Sequence, residues 1–64
     1  MKEAIVEGLL FIRGDIGVSK EELLTLVTEY ELNEIIKGLN EKYSLETSGI
    51  TLKKYGNLYK LTTK

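Results

Sequence analysis

Apolar positions along the chain fall into helical spacing over roughly the first two thirds and into alternation near the end. In residues 2–13, KEAIVEGLLFIR, the residues Ile5, Leu9 and Ile12 recur at helical intervals. That predicts a helix with this stripe inward and Lys2, Glu3, Glu7 and Arg13 in solvent. Val6 and Leu10 form a second pair at i, i+4, about a third of a turn away, with Ala4 and Phe11 on the other flank of the stripe. Such a helix either buries one wide face or offers Val6 and Leu10 to another protein chain. Gly14 suits a left-handed C-terminal cap, and Gly17 frees the connector that follows.

Two helix-start signals come next, Ser19-x-x-Glu22 and Thr28-x-x-Glu31. In each, a hydroxyl can cap a backbone N–H and the glutamate can reach back, and Val18 can staple onto Leu23. Were residues 20–43 a single helix, Leu23, Val27 and Tyr30 would lie roughly half a turn from Leu32, Ile35, Ile36, Leu39 and Tyr43. One helix cannot bury both faces in a small core, so the pattern predicts a helix-turn-helix broken near Thr28. The expected helices are 20–27, with Leu23, Leu24 and Val27 inward, and 29–43, with Leu32, Ile35, Ile36 and Leu39 inward.

After a polar connector, SLETSG, two alternating runs, 50–55 and 58–63, flank Gly56-Asn57 and predict a β-hairpin. A two-residue turn pairs Tyr55 with Leu58, Lys53 with Lys60 and Leu52 with Leu61. One face then carries Ile50, Leu52, Tyr59 and Leu61, and the other Lys53, Tyr55, Leu58 and Lys60. The elements add up to an α+β winged helix-turn-helix, three helices followed by a two-stranded antiparallel β-hairpin wing, as one domain over residues 1–64.

Composition narrows the function. At 64 residues the chain buries only about 60% of its unfolded surface, so a stabilising partner is plausible. With 42% hydrophobic and 30% charged residues it reads as a globular chain. No apolar run is long enough to span a membrane, and Met1-Lys2-Glu3 leads straight into an amphipathic segment, so a cytoplasmic location is expected. Cysteine and histidine are both absent, which removes disulfides, thiolate chemistry and the usual transition-metal ligands. No cofactor is expected. With Ser19 and Thr28 occupied as caps, no nucleophile has a base beside it, and an enzyme is not expected.

The net charge of −1 and isoelectric point near 5.4 speak against nucleic-acid binding driven by bulk charge. In a helix-turn-helix the second helix enters the major groove by its N-terminal end, which here carries Glu29, Glu31 and Glu34. The wing differs. Lys53, Lys54 and Lys60 interleaved with Tyr55 and Leu58 suit a wing touching phosphates, a protein interface with an apolar centre and charged rim, or a solvated face.

The residues Ala4-Ile5-Val6-Glu7-Gly8-Leu9-Leu10-Phe11, followed by Gly14-Asp15-x-Gly17-Val18-Ser19 and Glu22-Leu23, resemble the opening of the bacterial segregation and condensation protein B (ScpB) family. There an I-x-E-A-L-L-F helix leads through a glycine turn into the next helix. The stretch from Gly49-Ile50-Thr51-Leu52 to Tyr59-Lys60-Leu61-Thr62-Thr63 is similar to that family's wing. Gly8 stands where the family usually has Ala, and the segment around Thr28–Leu32 is shorter than is common. Family members carry two winged-helix domains, of which this chain is similar to the first. The resemblance implies a non-enzymatic adaptor of the SMC–kleisin complex in chromosome condensation and segregation, associated with the nucleoid. It further implies a homodimer that binds the kleisin ScpA and, through it, the SMC ATPase. Surplus apolar residues then nominate Val6, Leu10, Tyr55 and Leu58 as partner contacts. The rival is a DNA-binding winged-helix regulator using Lys53, Lys54 and Lys60.

Overall fold

The computed structural model describes residues 1–64. Helix α1 runs Lys2–Arg13, a 3-10 turn follows at Gly14–Ile16, and a two-residue strand, β1, spans Val18–Ser19. Then come α2 (Lys20–Leu23), α3 (Glu29–Tyr43), β2 (Ile50–Tyr55) and β3 (Leu58–Thr63).

The expected bounds of α1, α3, β2 and β3 match the structure, and α3 shows why. Its Thr28 hydroxyl accepts from the Glu31 N–H at 3.1 Å, and the Glu31 carboxylate accepts from the Thr28 N–H at 2.9 Å. The box satisfies two backbone donors that the helix itself leaves unpaired. At α2 only half of the expected box forms. Ser19 accepts from the Glu22 N–H at 3.1 Å, but the Glu22 carboxylate turns to Arg13 at the end of α1. This helix is also shorter than the expected 20–27. The Thr25 hydroxyl donates to the Glu22 carbonyl at 2.6 Å, and the chain tightens into turns whose Leu26 and Val27 N–H groups share the Leu23 carbonyl. A threonine competing for a helical carbonyl favours that tightening. Leu23 and Val27 are buried as expected, whereas Leu24 and Tyr30 are exposed.

The sheet has three strands in the order β1-β3-β2, where a two-stranded hairpin was expected. Tyr55↔Leu58, Lys53↔Lys60 and Leu52↔Leu61 are paired in the expected register. The extra strand pairs Val18 with Tyr59 and Ser19 with Leu58, and the Lys20 N–H donates to the Asn57 carbonyl at 2.7 Å. Two residues between a glycine and a helix, the second of them the helix cap, are too few to show alternation. Gly17 makes the pairing sterically feasible: its φ is +79°, and a Cβ there would lie 2.8 Å from the Tyr59 carbonyl oxygen.

Twelve side chains form the core, drawn from α1, β1, the helix-turn-helix and the inner sheet face. Val6 and Leu10 are both 0% exposed, so they hold α1 in place and cannot be partner contacts of the folded domain. The expected inward stripe is the outward one: Ile5 is 52% and Ile12 82% exposed, with Leu9 half-buried. The reason is where the charges go. Lys2 reaches Glu31 at 2.5 Å, Glu7 accepts from Lys42 at 3.0 Å and from the Tyr43 hydroxyl, and Arg13 pairs with Glu22. Lys2, Glu7 and Arg13 thus line the rim of the core and bind neighbouring elements, and the far face of the helix is left apolar.

Candidate interaction surfaces

No cleft or cavity indents the molecule, and no cluster of carboxylates is arranged to hold a metal ion. No helix is long and apolar enough to cross a membrane. What the fold presents is surface.

The first surface is the outer ridge of α1. At 100° per residue, Ile5, Gly8 and Ile12 fall within an arc of about 60°, roughly opposite Val6 and Leu10. Phe11, 55% exposed, and Ala4 flank the ridge on one side and Leu9 on the other. The charged residue inside this stretch, Glu7, is turned to α3. There the Tyr43 hydrogen bond, with Lys42 beside it, holds its carboxyl below the usual range. The stripe was legible in the sequence as surplus hydrophobicity; the phase that buries Val6 and Leu10 was not. Ile5, Ile12 and Phe11 are therefore the contact candidates missed from sequence, and the signal that finds them is the absence of charge between Gly8 and Ile12.

The second surface is the outer face of the wing, where Lys53, Tyr55, Leu58 and Lys60 come together as expected. Tyr55 is exposed, and Leu58 is half-buried because it packs over Gly17. The opposed lysines are managed locally. Lys60 Nζ sits 5.1 Å from the centre of the Tyr55 ring and donates to the Asp15 carbonyl at 3.4 Å. Lys54 lies on the opposite face, its Nζ 5.6 Å from the centre of the Tyr59 ring. The three wing lysines thus do not share one face. None of the three forms an ion pair; the four pairs in the molecule use Lys2, Arg13, Lys20 and Lys42.

The third is the start of α3. Glu29 is engaged by Lys20 at 3.4 Å, and the Glu31 carboxyl is held down to about 2, first by the Lys2 hydrogen bond and then by the Thr28 backbone. Glu29 and Glu31 are thus paired with lysines, and Glu34 is the carboxylate of this end without an ion pair.

The chain matches the family model for the segregation and condensation complex subunit ScpB over residues 4–64. It is 44% identical over 64 residues to segregation and condensation protein B of Bacillus subtilis (strain 168), covering 97% of this chain and 32% of that protein. Against the protein of the same name from Shouchella clausii (strain KSM-K16), identity is 43%, covering 98% and 34%. The chain thus spans about a third of the length of these relatives. Among solved structures it is similar, at a TM-score of 0.87 and 38% identity, to a crystal structure of a dimer of the ScpB N-terminal domain complexed with a ScpA peptide. That likeness covers 97% of this chain and 74% of that one. With a winged-helix fold, a match that runs from Ala4 to the last residue and relatives at this level of identity, the chain belongs to the ScpB family.

Proposed function

We propose that residues 1–64 act as one winged-helix adaptor unit without catalytic activity. In this reading it pairs with a second copy and receives a segment of the kleisin ScpA, within the SMC complex of chromosome condensation and segregation at the nucleoid. The observation that carries the reading is that α1 is apolar on two opposite sides while the core uses only one. A surface helix needs one apolar stripe to be held in place; a second signals association. The related N-terminal domain, of the same fold, is described as a dimer bound to a ScpA peptide. Tyr55 and Leu58, with lysines around them, offer a separate contact for a partner segment. Sedimentation equilibrium of the chain, alone and with overlapping ScpA peptides, tests both halves. The expected result is a dimer whose mass rises on adding one of the peptides; a monomer at high micromolar concentration that binds none of them would count against the adaptor.

A second reading is favoured by one observation: Lys53, Lys54 and Lys60 lack carboxylate partners, so their charge is not neutralised within the domain. It requires duplex affinity that falls steeply with salt and drops when these lysines are neutralised. Absence of binding to mixed-sequence DNA at low salt removes it. The acidic start of α3 weighs against it, because the wing and that helix end address the same duplex.

A further inference from the structure

We propose that the free edge of β2 receives an extended acidic segment of another protein as a fourth strand, held by the backbone groups of Leu52 and Lys54. The surface is separate from α1, and the proposal holds whether or not two copies of the chain pair.

In the order β1-β3-β2, only one side of β2 is occupied. The Lys64 N–H donates to the Gly49 carbonyl at 3.1 Å, which sets the phase of the ladder: Thr51, Lys53 and Tyr55 exchange bonds with β3. Ile50, Leu52 and Lys54 therefore turn their N–H and C=O groups to the free side. Ile50 is already served. The Ser48 hydroxyl donates to its carbonyl at 3.0 Å and accepts from its N–H at 3.4 Å. Ser48 closes one end of the edge and the Gly56-Asn57 turn ends the other, leaving a donor and an acceptor on each of Leu52 and Lys54. An added strand binds through such main-chain groups and is selected by the side chains beside them.

Those side chains select for acid. Lys53 and Lys54 are exposed on opposite faces of the sheet, and neither has a carboxylate partner. Every pairing in the sheet is antiparallel. A strand laid along β2 in that sense sets three consecutive residues opposite Lys54, Lys53 and Leu52. Carboxylates at the first two answer the charge on both faces, and an apolar residue at the third extends the core at buried Leu52. Nucleic acid fits this edge less well, because a phosphate backbone has no donors for the Leu52 and Lys54 carbonyls and the two lysines point to opposite faces.

The test uses the chain with a synthetic peptide, Thr-Val-Glu-Glu-Leu-Thr, blocked at both ends. In hydrogen exchange followed by NMR, the Leu52 and Lys54 amides should be unprotected in the free chain and protected at millimolar peptide. Methylating the amide nitrogen of the peptide's first glutamate or of its leucine, which would bond to Lys54 and Leu52, should abolish that protection. Methylating the second glutamate, whose amide points away from β2, should not. Lys53→Glu combined with Lys54→Glu, at two exposed positions, should weaken the peptide by at least about tenfold and admit Thr-Val-Lys-Lys-Leu-Thr in its place. No protection at millimolar peptide, equal losses from all three methylations, or shifts at Lys53 and Lys54 caused by mixed-sequence duplex and not by the peptide would each overturn the edge site and leave the adaptor reading standing.

Discussion

The hydroxyl of Tyr43, the last residue of α3, donates a hydrogen bond to the carboxylate of Glu7 in the middle of α1. The pair ties the outer helix to the helix-turn-helix, with Lys42 Nζ 3.0 Å from the same carboxylate. It shifts the titration of both partners. Glu7 is held below 4.5, by the Tyr43 bond first and Lys42 next; Tyr43 is pushed above 10.0 by burial first and then by the hydrogen bond from its hydroxyl to Glu7.

Stability should depend on pH at both ends of the scale. A depressed carboxyl stabilises the fold above pH 4.5, and this is lost as pH falls through its folded value. A raised phenol stabilises it fully below pH 10.0, and this is lost as pH rises beyond. Glu7→Gln should cost roughly 1–3 kcal/mol near neutrality, as the loss of hydrogen bonds to a charged group does. Urea unfolding at pH 7 and at pH 3 should show the difference between wild type and variant shrinking in acid. Phenolate absorbance should reveal one tyrosine titrating late, a step absent in Tyr43→Phe.

The two sides of α1 should separate cleanly in mutational cost. Leu10→Ala, at a site 0% exposed, should destabilise the folded monomer by roughly 2–5 kcal/mol, a large share of what a domain this small has. Ile12→Ala should cost under about 0.5 kcal/mol in the monomer. Denaturant titrations at concentrations where wild type is monomeric make the comparison; equal costs would reject the phase of α1 described here.

Glycines 8 and 17 should respond oppositely to alanine. Gly8→Ala should stabilise the dilute monomer by up to about 1 kcal/mol, since a helix gains and nothing clashes. Gly17→Ala should cost at least about 1–3 kcal/mol, because positive φ and the Tyr59 carbonyl at 2.8 Å both oppose a Cβ. Melting curves decide both signs.

The Thr28 box should be measurable residue by residue. Thr28→Ala should destabilise the domain by about 1 kcal/mol. In NMR titrations the Glu31 carboxyl should titrate at about 2 in wild type and higher in Lys2→Ala, which removes the first of its hydrogen-bond donors.

Much of this architecture was legible in the residues because several local signals agreed. Thr28 and Glu31 announced α3, Gly56-Asn57 set the hairpin register, and alternation sorted Leu52 and Leu61 from Lys53 and Lys60. The failures share a cause: each depended on a partner distant in sequence. Glu22 left its expected box because Arg13, nine residues earlier, competes for the carboxylate. β1 exists only because β3 lies alongside it. The rule that charge lies opposite the core fails for α1, because Lys2, Glu7 and Arg13 find partners on α2 and α3. The outward positions of the wing follow from hairpin parity, whereas the burial of Val6 and Leu10 does not follow from periodicity, because helical phase needs an external reference.

The order β1-β3-β2 leaves β2 as an open sheet edge, with Lys53 and Lys54 adjacent along it. Another such edge arriving to extend the sheet would align lysine with lysine, and lysine-bearing edges are how sheets avoid growing into fibres. A small domain with apolar surface on two sides is at risk of open-ended stacking when concentrated. In this one the charged edge opposes that route.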